Sequence, residues 1–186
     1  MIDGVVLCGG RSSRMGTDKS LLPVDGVPMA RRVADALIAG GCGRVVAVGG
    51  DPEGLAAVGL EVVPDGWPGE GPLGGVLTAL RAIGPDADAV VVVACDMPYL
   101  SGATVSALVT ALQADHALLA AVGRTDRIEP LCAVWRLSAT ATLADALAAG
   151  ERRLHAVLAG LPVAEVAVPG ADVVNINAPG DLGSSV

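Results

Sequence analysis

The sequence predicts an α/β protein, a three-layer doubly wound sandwich with helices on both faces of one mainly parallel sheet. Strand-like apolar runs alternate with helix-like segments along the whole chain. Most of these runs lack the polar positions of a half-exposed strand, as expected for strands buried on both faces. The 186 residues are 52% apolar but contain no phenylalanine, so the core must consist mainly of Val, Leu, Ala and Ile. Such a core is typical of parallel sheets covered by helices.

The strand-like runs are short, rich in β-branched residues and bounded by glycine, proline or polar residues, a pattern that favours buried strands. The predicted strands are GVVLC at 4–8, RVVAVGG at 44–50, LEVVP at 60–64, AVVVVAC at 89–95, ALLAAV at 117–122, PLCAVW at 130–135 and VAEVAV at 163–168. The polar loop GRTDRIE joins the fifth and sixth runs. We therefore expect a short antiparallel excursion around residues 117–135.

Helix candidates fill the spaces between these strands. MARRVADALIAGG at 29–41 has apolar residues at helical spacing and ends in glycines, which commonly terminate helices. PLGGVLTALRAIG at 72–84 begins with proline and ends with glycine, and SGATVSALVTALQAD at 101–115 opens with a serine that can cap a helix. SATATLADALAAG at 138–150 and ERRLHAVLAG at 151–160 complete the predicted helices.

Composition limits the organisation of the chain and its class of partner. With no Pro/Ser-rich linker, charge run or internal repeat, we expect one domain over residues 1–186. The net charge of −8 disfavours general binding to nucleic acids or anionic membranes, which need a basic surface. No run reaches the roughly 18 apolar residues of a membrane span, and the first residues are strand-like rather than a basic signal peptide. We therefore expect a cytoplasmic protein.

The four cysteines are scattered, with no CxxC pair and no neighbouring histidine. This spacing does not indicate a zinc site. Because the cysteines lie in apolar runs, we expect buried free thiols in a reducing compartment. They are Cys8, Cys42, Cys95 and Cys132.

The first strand is followed by GGRSSRMGTDK at 9–19, which combines glycines, two arginines and the only lysine of the chain, Lys19. This loop matches neither the Gly-Lys-Ser/Thr of a P-loop nor the G-x-G-x-x-G of a dinucleotide fold. Glycines still allow the main chain to approach a phosphate, and the cationic side chains can neutralise it. A compact ammonium reaches a phosphate oxygen as a point charge. We expect a phosphate site here, the alternative being a tight connection with an exposed lysine.

Three further stretches lie where a doubly wound sheet binds its ligands, at the carboxyl ends of strands. Asp96 directly follows AVVVVAC and is expected to bind Mg²⁺, the alternative being a turn or helix-capping aspartate. PDGWPGEGPLGG at 64–75 contains Asp65 and is predicted to be a long loop, either a connection or a flap over a ligand. NINAPGDL at 175–182 offers two amides on one side of an extended segment, as neutral ligands or as an ordinary turn.

Nucleophilic hydrolysis is disfavoured. The two histidines, His116 and His155, are isolated, and the GxSxG elbow is missing. The missing dinucleotide fingerprint also disfavours a nicotinamide oxidoreductase.

The stretch VVLCGGRSSRMGTDKSLLPVDGVP at 5–28 resembles the signature of molybdenum cofactor guanylyltransferases, the MobA-type enzymes of the nucleotidyltransferase superfamily. VVPD, GPLGG, the aspartate of CDMPYL, AGERR and NINAPGDL follow in the order of that family, so the resemblance covers essentially the whole chain. It implies a Rossmann-like nucleotidyltransferase fold. The N-terminal part would bind the nucleotide and the C-terminal part the acceptor.

The resemblance implies transfer of GMP from GTP to the phosphate of molybdopterin, giving molybdopterin guanine dinucleotide and pyrophosphate, with Mg²⁺ as cofactor. Molybdenum-insertion or molybdoenzyme delivery proteins would be further partners. Two alternatives are a cytidylyltransferase that uses CTP and a non-catalytic module that binds nucleotide and molybdopterin. Relatives that use CTP tend to have Leu-Ala-Ala-Gly where this chain has LCGG at 7–10, so Gly10 favours a purine.

The resemblance also implies roles for individual residues. Arg14, Lys19 and Asp96 would be catalytic, with Asp96 as the metal ligand, and main-chain groups at 7–9 would contact the guanine while residues 10–16 wrap the triphosphate. The chain departs from the family at Cys8, where alanine is usual, and at Val48-Gly49-Gly50, near which the family often has an asparagine. The expected nucleotide-binding residues are Leu7, Cys8, Gly9, Gly10, Arg11, Arg14, Lys19, Asp65 and Asp96. The expected acceptor-binding residues are Arg152, Arg153, Asn175 and Asn177.

Overall fold

The structure, a computed structural model, describes residues 1–9, 18–83, 87–177 and 181. Its strands are β1 (Ile2–Leu7), β2 (Pro23–Val24), β3 (Val27–Pro28), β4 (Val45–Val48), β5 (Glu61–Val63), β6 (Ala89–Ala94), β7 (Ala120–Arg124), β8 (Ile128–Arg136) and β9 (Val163–Ala167). Its α-helices are α1 (Met29–Ala39), α2 (Pro52–Ala57), α3 (Gly71–Ala82), α4 (Gly102–Ala114), α5 (Thr140–Ala148) and α6 (Leu154–Leu158). Single 3-10 turns cover Lys19–Leu21, Leu137–Ala139 and Gly170–Val173.

Seven of the strands form one sheet in the order β5-β4-β1-β6-β8-β7-β9. The first four are parallel, with Leu7 opposite both Val48 and Ala94. Strand β8 is antiparallel to both of its neighbours, and β7 and β9 are parallel. A connection as short as GRTDRIE can join only antiparallel strands, since a parallel crossover needs a dozen residues or more. The mainly parallel sheet and its antiparallel excursion are therefore confirmed.

Helices cover both faces of the sheet and bury two separate apolar clusters. Alternate side chains of a strand point to opposite faces. Accordingly, Val91 and Val93 of β6 pack in one cluster with Leu37 of α1. Val90 and Val92 pack in the other, which contains apolar side chains of α3, α5 and α6. A strand buried on both faces explains why β6 is an unbroken apolar run. Among the described residues, no helix is long and apolar enough to cross a membrane.

One short helix and one two-stranded hairpin were not predicted, although each has a recognisable signal. Helix α2 begins after Asp51, whose side chain accepts a hydrogen bond from Glu53 N, and proline occupies its first turn. Strands β2 and β3 form a small hairpin around Asp25-Gly26, whose φ angles of 51° and 80° fit the Asp-Gly turn of a tight hairpin.

The interpretation of the whole stretch 64–75 as a loop was wrong for its last part. Helix α3 already begins at Gly71, so the irregular connection ends at Glu70. Proline in the first turn of α3 costs no hydrogen bond, because the first N–H groups of a helix have no intrahelical partner.

The segment after β9 folds back along the carboxyl edge of the sheet. The buried carboxylate of Asp172 accepts hydrogen bonds at Oδ2 from Ser101 N (3.1 Å), Ser101 Oγ (2.5 Å) and Thr104 Oγ1 (2.6 Å). Ser101 in turn caps α4, as predicted, by accepting from Thr104 N. Further along, Ile176 N donates to Asp96 O (2.9 Å), while the Ile176 side chain packs with Met29. These contacts attach the segment to the start of α4 and to the end of β6.

Asp172→Ala is expected to lower the free energy of unfolding by about 2–4 kcal/mol, because it removes the acceptor of three hydrogen bonds. Urea denaturation measures the change. Asp115→Ala is the matched control, since that exposed carboxylate accepts from Ala117 N in a local turn, and it should cost less than about 1 kcal/mol. Equal losses for the two variants would show that Asp172 does not anchor the segment.

Candidate active site

The carboxyl ends of the parallel strands meet at one edge of the sheet, where a doubly wound fold binds its ligands. The residues that follow β1, β4 and β6 there are 8–9, 49–50 and 95–96, and Asp65 follows β5. The 3-10 turn at Lys19–Leu21 and the segment that contains Asn177 reach the same edge.

Lys19 joins three motifs that are far apart in sequence. Its Nζ donates to Asp96 Oδ2 (3.0 Å) and to Asn177 Oδ1 (2.8 Å), across sequence separations of 77 and 158 residues. The side chains of Lys19 and Asp96 are only 14% and 25% exposed, so their charges interact in a partly shielded environment. Asp96 does not cap α4, because Ser101 has that role. Helix capping is therefore excluded for Asp96, and its binding of Mg²⁺ stays a prediction.

Asp18 fixes the turn that carries Lys19. Its Oδ1 accepts from Ser20 N (2.9 Å) and Ser20 Oγ (2.8 Å), and its Oδ2 accepts from Asp51 N (2.5 Å). One carboxylate thus shapes the turn and attaches it to the start of α2. The sequence patterns did not single out Asp18, although aspartate side chains commonly accept a hydrogen bond from the main chain two residues further on, as Asp18 does from Ser20 N.

Arg32 supports the turn after β6 from the side of α1. Its Nε donates to Pro98 O (2.9 Å) and its Nη1 to Val24 O (3.2 Å). The guanidinium therefore links the β2–β3 hairpin to the turn that presents Asp96. Nothing in the periodicity of α1 predicts this role.

The ends of β1 and β4 approach each other closely, and this explains the departure at Val48-Gly49-Gly50. Gly49 and Gly50 have φ angles of 70° and 84°, which side chains rarely adopt. A Cβ on Gly49 would lie 2.9 Å from Gly9 Cα, and a Cβ on Gly50 would lie 2.9 Å from Cys8 Cβ. A side chain at either position would collide, so neither position can take an asparagine without a shift of the neighbouring chain.

The other departure, Cys8, faces the core rather than the edge. The Cys8 side chain is buried in the same apolar cluster as that of Cys95, which directly follows the adjacent strand β6. A hydrogen bond to Cys95, together with burial, raises the pKa of the Cys8 thiol well above its usual range. The side chain therefore stays protonated and serves packing. All four cysteines are free and buried, as predicted.

Some main-chain N–H and C=O groups of residues 7–9 already form hydrogen bonds to the neighbouring strands. Cys8 N and Gly9 N donate to Val48 O (2.9 and 3.2 Å), and Leu7 O accepts from Cys95 N (3.0 Å). Among the hydrogen bonds of the described residues, the carbonyl oxygens of Cys8 and Gly9 accept none. A ligand at this edge would therefore meet acceptors rather than donors at these two positions.

One carboxylate oxygen of Asp65 accepts hydrogen bonds from nearby residues, and the other is directed to the end of β1. Its Oδ1 accepts from Trp67 N (3.0 Å) and from Thr78 Oγ1 (2.9 Å). Its Oδ2 is 3.8 Å from the position that a Cβ on Gly9 would occupy. Thr78, on the buried face of α3, also accepts from Gly66 N. Its role was not predicted, since a threonine within an apolar helix usually indicates packing.

The predicted acceptor-binding residues do not come together as one set. Arg152 forms an ion pair with Glu70, and its Nη1 donates to the carbonyl oxygens of Leu147 and Glu151 (2.8 Å each). It thereby links the loop before α3 to the end of α5. Arg153 pairs with Glu151, and the N–H and guanidinium of Arg153, with the N–H of Arg152, lower the pKa of Glu151 to about 2.

The two asparagines of this set have different surroundings. Asn177 lies at Lys19, whereas Asn175 is exposed and takes part in none of the side-chain hydrogen bonds among the described residues. Gly10, Arg11 and Arg14 lie outside the described residues, so their roles stay predictions.

A cavity of about 760 Å³ opens at the opposite edge of the sheet, around the amino ends of β1 and β6. Its walls include Met1, Asp88, His116 and Arg136, none of which belongs to the predicted site. Four of the predicted functional residues, Lys19, Asp65, Asp96 and Asn177, lie instead at the carboxyl edge.

Oxygen donors at the site fit a magnesium ion. The described residues contain no group of three or more His, Cys, Asp or Glu side chains that could hold a metal. They do present the Asp96 carboxylate and the Asn177 amide oxygen on either side of the Lys19 ammonium, which is itself a cation in that position. Mg²⁺ in phosphate-transfer sites commonly takes one or two protein oxygens and completes its coordination with water and substrate phosphates.

The chain is similar to known proteins over most of its length. Residues 4–166 match the family model for MobA-like NTP transferase domains. A molybdenum cofactor guanylyltransferase of Cereibacter sphaeroides is 37% identical over 182 residues, which cover 96% of this chain and 92% of that protein. The crystal structure of molybdopterin-guanine dinucleotide biosynthesis protein A from Archaeoglobus fulgidus has a TM-score of 0.76 and 26% identity, covering 98% of this chain and 95% of that one.

A crystal structure from Mycobacterium tuberculosis H37Rv in complex with manganese shares the fold, with a TM-score of 0.72 at 22% identity, covering 97% of this chain and 95% of that one. The resemblance suggested by the opening motif thus extends over nearly the full length of the curated relative. The chain belongs to the MobA-like NTP transferase family.

Proposed function

We propose that the chain transfers GMP from GTP to the phosphate of molybdopterin and releases pyrophosphate. The observation that carries the proposal is the meeting of Lys19, Asp96 and Asn177 at the carboxyl edge of the sheet, next to the glycine-rich connection after β1. A sequence identity of 37% to a molybdenum cofactor guanylyltransferase, over 92% of that protein, supports the same reaction. One domain over 1–186 would perform it, and molybdenum-insertion or molybdoenzyme delivery proteins would exchange the cofactor with it.

The reaction needs positioning and charge neutralisation rather than a general base. The acceptor phosphate is already largely a dianion at neutral pH, because its second pKa is near 6. An oxygen of this phosphate forms a bond to the α-phosphorus of GTP, while the bond to the bridging oxygen breaks and its electron pair leaves on pyrophosphate. No covalent intermediate on the protein is required. The two histidines fit this scheme, since His116 lies at the opposite edge and His155 is exposed on α6.

The obstacle to the reaction is repulsion between the anionic acceptor phosphate and the anionic triphosphate of GTP. Side chains at the carboxyl edge of the sheet would reduce this repulsion. Lys19 would pair with the phosphates of GTP, and Arg14 and the main chain of 10–16 would support it. Asp96 and Asn177 would hold Mg²⁺, which supplies further charge neutralisation when bound. At about 4 Å and an effective dielectric constant near 20, one such charge pair is worth roughly 4 kcal/mol.

Guanine suits the main-chain groups at the end of β1. The carbonyl oxygens of Cys8 and Gly9 are acceptors, and the Watson–Crick edge of guanine carries N1–H and N2–H donors. Asp65 Oδ2, which is directed to the same place, is a further acceptor for the nucleoside. The predicted assignment of purine selection to Gly10 needs correction, because Gly9 is the residue of LCGG that replaces an alanine of Leu-Ala-Ala-Gly, and we propose Gly9 for this role.

Acceptor binding is proposed to centre on Asn177 and to extend towards Asn175 and Arg153, whose side chains are exposed. Arg152 would act mainly through its ion pair with Glu70 and would hold the loop before α3 in place.

Incubating the protein with GTP, Mg²⁺ and molybdopterin should release pyrophosphate and form the guanine dinucleotide. GTP should be used far better than CTP, and omission of molybdopterin should stop the release. Preference for CTP would instead identify a cytidylyltransferase. Binding of both ligands without pyrophosphate would identify a non-catalytic delivery module.

Lys19→Ala is expected to lower kcat/KM for GMP transfer by about 10²–10³-fold, because it removes a charge that stabilises the phosphates in the transition state. Initial rates of pyrophosphate release measure the effect. Arg31→Ala is the matched control, since it removes one positive charge whose ion pair is with Asp35 on the same helix. Near-normal transfer by the Lys19 variant would rule out the phosphate role.

Asp96→Asn is expected to raise the Mg²⁺ concentration for half-maximal rate by about tenfold or more, because an amide is a weaker ligand than a carboxylate. A Mg²⁺ titration of the rate at saturating GTP gives this value. Asp145→Asn makes the same change at an exposed position of α5 and should leave the titration unaltered. An unchanged titration for Asp96→Asn would remove the metal role.

Asp18 should act as a positioning residue for Lys19. Asp18→Asn keeps one oxygen acceptor and is expected to lower kcat by about tenfold, while Asp18→Ala keeps none and should lower it further, by about a hundredfold. Transfer rates and urea denaturation of both variants are compared. If the asparagine and alanine variants were equally impaired, the negative charge of Asp18 rather than its hydrogen bonding would be responsible.

A further inference from the structure

We propose that Lys19 is a built-in competitor of the divalent cation, because it occupies the position between Asp96 and Asn177 that the metal would take. A cation would then bind strongly only after a nucleoside triphosphate has drawn the lysine to its phosphates. The inference deepens the proposed function and rests on it, since it assumes a phosphate partner for Lys19 and a metal partner for Asp96.

Geometry is the first support. A single ammonium nitrogen lies 3.0 Å from Asp96 Oδ2 and 2.8 Å from Asn177 Oδ1. Both oxygens are therefore directed to one point, and that point holds a positive charge. A small divalent cation also binds between oxygens that converge on one point, at about 2.1 Å from each for Mg²⁺. The ammonium and the metal cannot both lie there.

The second support for the proposal is that the main chain is held at the two residues whose oxygens accept from Lys19. Ile176 N donates to Asp96 O (2.9 Å), so the strand end and the following segment are attached through their main chains. The main chain of Asn177 is held as well, because Asn177 N donates to Asp181 Oδ2 (2.7 Å). The main chains that carry the two oxygens are thus held by contacts other than Lys19, and these contacts do not depend on where the lysine lies.

Burial is the third support. Lys19 is 14% exposed at its side chain, so an ammonium displaced by metal alone would remain partly shielded from water and beside a double positive charge. Such an unpaired, partly buried charge is unfavourable.

A triphosphate removes the conflict, because its several negative charges can pair with the lysine and the metal at the same time. Lys19 then has two alternative partners, the Asp96–Asn177 pair and the phosphates. An element with two such arrangements couples the two ligands, so nucleotide and metal should each strengthen the binding of the other. The consequence is ordered loading, in which the metal enters with the nucleotide.

Binding of Mn²⁺ to the full chain tests the inference without any turnover. The free Mn²⁺ signal in electron paramagnetic resonance reports the affinity at constant ionic strength and without nucleotide. Lys19→Met, which keeps the length of the side chain but not its charge, should bind Mn²⁺ about 10–100-fold more tightly than the unaltered protein. Arg31→Met removes the same charge from a helix surface and should change the affinity less than twofold.

The double variant Lys19→Met/Asp96→Asn should lose the gain in Mn²⁺ affinity that Lys19→Met alone produces. This loss would show that the additional Mn²⁺ affinity depends on Asp96. An unchanged or weaker affinity of Lys19→Met would overturn the competition, and so would a gain that survives Asp96→Asn. Failure of the proposed function is read separately, as absence of pyrophosphate release by the unaltered protein with GTP, Mg²⁺ and molybdopterin.

Discussion

The buried carboxylate of Asp172 is the interaction on which the assembly of the site depends. It satisfies Ser101 and Thr104 at the start of α4 and so fixes the return of the chain along the carboxyl edge of the sheet. From that anchor the chain reaches Ile176, whose N–H meets the end of β6, and then Asn177, which meets Lys19. A contact that lies outside the site therefore determines whether its most distant residue in sequence can take part in it.

Sequence patterns predicted the fold well because the determinants of a doubly wound sheet are local. An unbroken valine run such as 90–93 has to be covered on both faces, and a polar connection as short as GRTDRIE leaves no room for a crossover. Motif position also placed Asp96 and Lys19 at the same edge. Their direct contact could not be predicted, because side-chain pairing across 77 residues depends on how the intervening turns are built.

The residues that sequence patterns did not reveal are mostly those that support others. Thr78 and Arg32 lie in helices whose periodicity indicates only packing, yet one holds Asp65 and the other holds the turn of Asp96. Arg152 has a partner that its charge alone did not reveal, since the side chain that was expected to meet substrate forms an ion pair with Glu70. The charge of a residue and its position in the chain indicate which interactions it can form. The tertiary structure decides which partner it actually meets.

The place of Asn177 in the chain has a consequence for proteolysis. It follows every described strand and α-helix, but its amide oxygen completes the surroundings of Lys19, which comes directly after the first strand and loop. Cleavage between β9 and Asn177 would therefore leave the described strands and α-helices in one piece, while it would detach one of the two oxygens that hold the Lys19 ammonium.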